Sequence, residues 1–567
     1  MPTKYLAITI AGAVSLGSYE AGATYEILDA IRQHNQHPDT IVNGDFIRID
    51  VLTGASAGGM TAAIVSQKLL YAKDDFVDAY NNPLYNCWVK GISLAGLLNT
   101  EDKPLPDGDP ALLSLLSSNL IKQISKNTLA QQDENGQIPQ NGGAHNAIDP
   151  DRGIRLGLAL TNLNGINYSY QLFGGGQFLY TDFSDQMLRS FSAADRSFAP
   201  WKEISEAAVA CGAFPVAFRT KDLVRSQADY EPSDTLVAFP TDPYTFTYTD
   251  GGVLQNQPLG MAKNLVDKND KHLATENRFY LFASPSAMLG EQNLELTEAS
   301  ANMLTVGKRL VDIYMGQSVF RDWINSQKIN DQIDLLDQRA RGLADALIAG
   351  TIDPAVLSAA SQQVLTLLYA GADPTETQQQ AEDRLAIQYA AEIGTAGDAK
   401  TLGGLDTDLA VAFLHGILAL EKTANLGEKD KMRIYGVVAD KSKLAGEGVS
   451  AFVGFFDQAF RDHDYDYGRT IAQKLLANPA FQQPGELGPI RYTPSAIRAI
   501  DPALTGLHLK DIPKADIATL KDGLTHRLNQ ILRDKLSNPL ERYPAQLGAD
   551  IALGLVLDWE FNRDIQG

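Results

Sequence analysis

The chain has 567 residues, too many for one ordinary domain of roughly 150 residues. Hydrophobic residues make up 44% and charged residues 21%, which excludes a disordered chain. Lys and Arg number 48 against 69 Asp and Glu, a net charge of −21. Such a surface repels nucleic-acid phosphates, so no nucleic-acid partner is expected, and it feels no long-range pull toward anionic bilayers. There are two cysteines, Cys87 and Cys211, and no CxxC. A disulfide framework and a cysteine-rich metal site are excluded, and a reducing compartment fits. No apolar stretch reaches the roughly 18 residues of a membrane span. The N-terminal run KYLAITI leads into a glycine-containing turn and a helical segment, so it reads as a core strand and not as a signal peptide. A cytoplasmic location is expected, with signal-independent export left open.

The first 290 or so residues alternate between strand-like and helix-like runs. Lys4–Ile10 reads as a buried strand and Tyr19–Gln33 as a helix. Phe46–Leu52 and Ala57–Ala72 repeat the pair. Ile154–Asn162, Tyr168–Phe173 and Asn277–Ala283 add strands. This order predicts an α/β fold with a central, mostly parallel sheet. Gln131–Arg152, polar and rich in Gly, Asn and Pro, reads as a long loop or a disordered insertion.

Beyond Pro285 the pattern turns helical. Ile329, Ile333, Leu336, Ala340, Leu343 and Leu347 form an apolar stripe, which suits an intramolecular helix hairpin better than a coiled coil, because it is only two to three heptads long. Met432–Asp440 is a late strand candidate, and Ser450–Leu476 reads as a helix pair with a dense aromatic and charged run. The expected organisation is 1–290 as an α/β catalytic domain, 291–430 as a helical region, and 431–567 as a mainly helical region packing on the catalytic domain.

One segment carries chemistry. Gly54-Ala55-Ser56-Ala57-Gly58 follows a strand and opens a helix. A sharp strand-to-helix turn needs small residues around its serine. It lifts the hydroxyl to the carboxyl edge of the sheet, at the positive end of the following helix. The competing reading of Ser56 is a plain helix N-cap. Asp250, after a β-rich run and before two glycines, is either a catalytic base or an ordinary Asp-Gly turn residue. None of the eight histidines has motif context.

Four segments together resemble the patatin-like phospholipase family: AGAVSLGSYEAG at 11–22, TGASAGG at 53–59, EAAVACGAFPVAF at 206–218 and DGGVLQNQP at 250–258. They cover the first half of the chain. The tract from Met432 to Leu476 also looks like the C-terminal region of a bacterial patatin-related subgroup. The resemblance implies a patatin-like three-layer sandwich with a large, mainly helical C-terminal region, and a Ser–Asp dyad without histidine. Ser56 would be the nucleophile and Asp250 the base, with Gly54 and Gly58 shaping the elbow. The oxyanion hole would come from the backbone of Gly12, Ala13 and Val14.

The loop departs from the family pattern of three glycines and a basic residue, since Ala13, Val14 and Leu16 replace two glycines and the cation. A β-branched residue fits badly where φ is positive. The implied activity is hydrolysis of carboxylic esters of lipids, phospholipids or lysolipids, with no cofactor and no metal. The apolar run Phe214–Phe218 reads either as core or as a peripheral membrane contact. Lipid transacylation by the same dyad, a non-catalytic assembly module on this scaffold, and a His-dependent α/β-hydrolase stand as alternatives. An aspartate with an ordinary pKa of about 3.9 would keep such an enzyme active well below pH 6.

Overall fold

A computed structural model describes residues 3–98, 114–172, 176–230, 235–269, 277–286, 297, 327–370, 377–393, 407–424, 426, 432–447, 453–483, 485–505 and 514–535. The chain divides into two compact units. One comprises Met1–Asn269, Asn277–Asp322 and Ile434–Gly567; the other comprises Asp270–Glu276 and Trp323–Arg433.

In the first unit, β1 (Lys4–Ile10) leads through a 3-10 turn at Val14–Leu16 into α1 (Gly17–Gln36), and β2 (Ile47–Gly54) leads into α2 (Ser56–Tyr71). Next come β3 (Ile154–Gln171), β4 (Gln177–Phe191), α3 (Phe198–Cys211), β5 (Lys221–Arg225), β6 (Tyr244–Asp250), α4 (Leu259–Asn269) and β7 (Arg278–Ser284). Later in the chain β8 (Ile434–Val438) and α5 (Gln458–Leu476) return to the same unit.

The eight strands form one sheet in the order β5-β6-β3-β2-β1-β7-β8, with β4 paired to β3. The run from β3 through β2, β1 and β7 to β8 is parallel. The pairs β3–β4, β3–β6 and β5–β6 are antiparallel. Strands β1 and β7 are buried almost throughout, as expected where helices cover a parallel sheet. The α/β fold expected from alternation therefore holds.

Two strands expected at Ile154–Asn162 and Tyr168–Phe173 are one 18-residue strand, β3. A register shift between Thr161 and Ile166 interrupts it. There Asn162 Oδ1 accepts the N–H groups of Asn164 and Gly165. The turn-forming Asn-x-Asn-Gly in the sequence marks a bulge, not a strand end. Gln131–Arg152 is an ordered loop. Asn141 and His145 donate to the carbonyls of Tyr71 and Leu69, and Ile138 and Ile148 are buried. Strands β4 and β5 had no sequence counterpart. In β4 most side chains are exposed or half-buried, so no alternation of core residues reveals it.

The expected helix pair at 450–476 is a 3-10 turn, Val453–Phe455, followed by the single helix α5. Helix α5 lies tightly on α1. A Cβ at Gly22 would fall 2.0 Å from the Tyr465 carbonyl oxygen, and one at Gly468 would fall 2.1 Å from that of Tyr19. Only glycine allows this approach. Arg469 Nε donates to Glu26 Oε2 at 2.9 Å, and both side chains are fully buried. Such a pair costs desolvation but is strongly destabilising to break.

In the second unit, residues 327–348 are helical. They are followed by α6 (Pro354–Tyr369), α7 (Gln378–Ile393) and α8 (Thr407–Thr423). Ala340, Ala344 and Leu347 join Leu365, Leu385, Phe413 and Ile417 in one apolar core, while Ile333 and Leu336 pack with Leu426. The stripe thus belongs to an intramolecular helix core. Most of the expected helical stretch between 291 and 326 lies outside the described residues.

Candidate active site

The site forms because two strands share one edge of β3. Strand β4 occupies one edge of β3 along almost its whole length. On the other edge β2 pairs with Arg155–Leu158, and β6 pairs with Leu160–Asn162. The two strands run in opposite directions, so their carboxyl ends meet head to head. Gly54 sits beside Leu158 and Asp250 beside Leu160. Residues just past Gly54 therefore face Asp250.

Ser56 is the first residue of α2, and its N-cap is Ala55. The hydroxyl makes no cap. It donates to Asp250 Oδ2 at 2.6 Å. Ser56 has φ of +51°, a conformation that costs a non-glycine residue roughly 1–2 kcal/mol. The elbow leaves no room for side chains. A Cβ at Gly54 would lie 2.4 Å from the Gly58 carbonyl oxygen, and one at Gly58 would lie 2.1 Å from that of Ala11.

Asp250 does two things. Its Oδ1 accepts the Gly252 N–H at 2.6 Å, the local turn contact foreseen for an Asp-Gly pair, while Oδ2 accepts the Ser56 hydroxyl. Its backbone is pinned on both sides: N–H to the Ala213 carbonyl, and carbonyl to the Thr161 hydroxyl. The carboxyl is almost fully buried. Burial raises its pKa to about 7 against the lowering effect of the Ser56 and Gly252 hydrogen bonds. An isolated carboxylate is poorly tolerated in such a setting.

The loop after β1 supplies backbone N–H groups beside this pair. Gly12 does not offer its own, because that N–H donates to the Asn256 carbonyl at 3.1 Å. The glycine is required for a steric reason instead: a Cβ there would lie 1.9 Å from Asn256 Oδ1 and 3.1 Å from Ser56 Cβ. The N–H groups of Ala13 and Val14 have no hydrogen-bond partner among the described residues. Val14 takes φ of +51°, the conformation that disfavours a β-branched side chain. Leu16, at the family's basic position, is buried core. A Cβ at Gly446 would lie 3.0 Å from Leu16 Cδ2, and one at Gly454 would lie 2.5 Å from Ser15 Oγ. The segment before α5 thus packs directly on the loop. The buried Asp464 carboxylate holds that segment by accepting the N–H groups of Ala445 and Gly446.

Asn256 was not singled out from the sequence, although it lies inside the DGGVLQNQP block. Its amide sits against Gly12 and Gly252. Cys211 is buried beneath the elbow, 3.8 Å from the Ser56 carbonyl oxygen, and burial holds its thiol well above the ordinary range. Of the Phe214–Phe218 run, Val216 is exposed with φ of +68°, Ala217 is buried and the rest are half-buried.

No described histidine touches Ser56 or the Asp250 carboxylate. His34 and His145 are buried. The His34 ring bonds the Asp45 carbonyl, and burial lowers His145 to about 3. His415 bonds Ser358 and His463 bonds Asp464. His272 and His508 lie outside the described residues. Among the described residues no cluster of three or more His, Cys, Asp or Glu could hold a metal ion. None of the described helices is long and apolar enough to cross a membrane.

The site thus places a serine on a strained strand-to-helix turn, bonded to a buried carboxyl at the carboxyl edge of a mostly parallel sheet. Residues 8–263 match the model of the patatin-like phospholipase family. A relative in Sinorhizobium fredii, the uncharacterized protein y4iI, is 23% identical over 397 residues, or 56% of this chain. The match covers 54% of y4iI, so the chain spans about half the length of that curated relative. Among solved structures, VipD from Legionella pneumophila aligns over 99% of this chain and 85% of its own, with 10% identity and a TM-score of 0.24.

Proposed function

We propose that the protein is a lipid acyl hydrolase that cleaves carboxylic esters of phospholipids or lysolipids through an acyl-enzyme. The observation that carries this reading is the 2.6 Å bond from Ser56 to the buried Asp250, made by a serine that does not cap its own helix.

In this mechanism Ser56 Oγ attacks the ester carbonyl carbon while its proton passes to Asp250. Direct contact replaces an imidazole relay. A carboxyl raised to about 7 is a far better base than one in water. The negative charge that develops on the carbonyl oxygen is met by the free N–H groups of Ala13 and Val14 and by the N-terminus of α2. Each well-aimed donor in comparable sites is worth about 3–4 kcal/mol. Collapse of this intermediate breaks the bond to the leaving alcohol, which takes the proton from Asp250. Water then attacks the acyl-serine, again losing its proton to Asp250; as the acyl–Oγ bond breaks, Asp250 returns the proton to Ser56 Oγ and the fatty acid leaves.

The substrate class follows from the family and from the loop. With Leu16 buried where a cation would stand, the loop offers no charged side chain to a phosphate, so recognition rests on the acyl ester. The experiment is labelling by a fluorophosphonate probe. Wild type should label on Ser56 and Ser56→Ala should not. An unlabelled, folded wild type would favour a non-catalytic assembly module.

A further inference from the structure

Strand β3 does not stop at the site. It passes Asp250 at Leu160 and runs on to Gln171, returning as β4. Past that point the eight residues of β4 from Ser184 to Gln177, at about 3.3 Å each, carry the hairpin on the order of 26 Å beyond the carboxyl edge of the sheet. It therefore projects from the edge at which Ser56 and Asp250 meet.

Near the sheet the hairpin is covered: Ile166 is buried, and residues 235–237 pair with Asn167–Ser169. Its outer part is apolar and exposed. Tyr170, Leu172, Phe178, Leu179, Tyr180 and Phe183 are all exposed, Leu179 by 68% and Phe178 by 55%. Between Arg155 and Asp185 the sole charged residue is Asp182, in a chain of net charge −21. The apolar groups lie on both faces. Tyr170 stands opposite Phe178 and Tyr168 opposite Tyr180 on one face, and strand alternation places Leu179 and Phe183 on the other. A folded partner would cover one face of a hairpin. A surrounding apolar medium wets both. Tyrosine beside leucine and phenylalanine is the mixture that favours the boundary between lipid headgroups and acyl chains.

We propose that the β3–β4 hairpin is an interfacial anchor that inserts into an electrically neutral lipid surface and presents the Ser56–Asp250 site to it. This deepens the hydrolase reading and rests on it for its purpose. The geometry of the hairpin stands independently.

The test uses the full chain carrying Ser56→Ala, so that lipid is not consumed, with phosphatidylcholine vesicles. Co-flotation should be clear and should not weaken when salt is raised. Leu172→Ser, Phe178→Ser and Leu179→Ser combined should lower partitioning at least about tenfold, since three large apolar contacts are lost. These side chains are exposed, so an unchanged circular dichroism spectrum should accompany the loss. A separate Leu179→Trp variant should show a blue shift and quenching by brominated acyl chains. Equal partitioning of the triple variant, or a Leu179→Trp signal unmoved by vesicles, overturns the anchor. So does a hairpin-dependent dimer that ignores vesicles. The two readings fail separately. Hairpin-dependent vesicle binding by a wild type that no fluorophosphonate labels would sink the hydrolase alone. A labelled wild type whose vesicle binding ignores the hairpin would sink the anchor alone.

Discussion

Val14 and Ser56 share a φ of +51°, one just past the end of β1 and the other just past the end of β2, on neighbouring parallel strands. Two strained residues on adjacent loops therefore face the same edge of the sheet. The strain marks what the backbone must do there, which is to aim N–H groups and a hydroxyl at one point. At Val14 the backbone matters and the side chain does not, so Val14→Gly should keep turnover on a soluble ester within a few fold. Relief of roughly 1–2 kcal/mol of backbone strain should offset the lost side-chain packing and leave stability within about 1 kcal/mol. Thermal unfolding and kcat measure the two effects. A hundredfold loss of activity would assign the side chain a chemical role.

The second prediction concerns the dyad. Ser56→Ala and Asp250→Asn should each lower turnover on a soluble ester by ~10³-fold or more, and the double variant should lose little beyond either, because residues acting as one unit are not additive. No folded single histidine variant should approach that loss. One histidine as indispensable as Ser56 would replace the dyad with a triad.

Burial moves the expected pH profile. An ordinary aspartate would hold activity well below pH 6, but Asp250 sits at about 7 and accepts a proton only as carboxylate. The log of kcat/KM should therefore rise with pH and level off above about 7. Imidazole titrates in the same range, so the pH profile no longer separates the two bases, and the histidine scan does. Full activity at pH 5 would show that Asp250 is ionised there and that the carboxyl is not held up by burial.

The same group should make stability fall with pH. With its folded pKa above the unfolded value of about 3.9, Asp250 keeps its proton when folded and loses it when unfolded between about pH 4 and 7. Stability contributed by this group is full below pH 4, declines through that window and is flat above it. Asp250→Asn removes the decline, and its amide can still accept from Gly252 and bond Ser56. It should exceed wild type in stability by up to roughly 4 kcal/mol at pH 8 and show no advantage near pH 4. Urea midpoints across that range provide the measurement. A pH-independent difference would mean that Asp250 carries its charge without penalty.

The contact between α1 and α5 makes the late segment part of the catalytic unit. Gly22→Ala should cost about 3 kcal/mol, since the added methyl overlaps the Tyr465 carbonyl oxygen and two packed helices must part. Glu26→Gln should cost a similar ~3–5 kcal/mol by leaving Arg469 buried without its counter-charge. Chemical denaturation should show both losses. Variants as stable as wild type would mean that α5 is only loosely attached.

Much of this was legible in the sequence because it is local. Strand β1, strand β2 and their helices follow from apolar runs joined by glycine-rich turns, and the elbow at Ser56 follows from small neighbours at fixed spacing. Asp250 could be picked out, but its choice between turn and base could not, since an Asp-Gly pair looks the same in both. Sequence also could not separate Gly12 from Ala13 and Val14, because the bond that occupies the Gly12 N–H comes from Asn256, 244 positions later in the same sheet edge. The exposed hairpin end was hidden for another reason. Strand β4 has no alternation to read, and only the tertiary structure leaves Tyr170, Leu172, Phe178 and Leu179 exposed beyond the sheet edge. What the chain dictated alone was every feature set by spacing between neighbours. What the tertiary structure decided was every feature set by long-range pairing: the head-to-head meeting of β2 and β6 on β3, the burial that lifts Asp250, and the exposure of β3–β4. Sequence spacing records neither a neighbour from another segment nor the water that neighbour excludes.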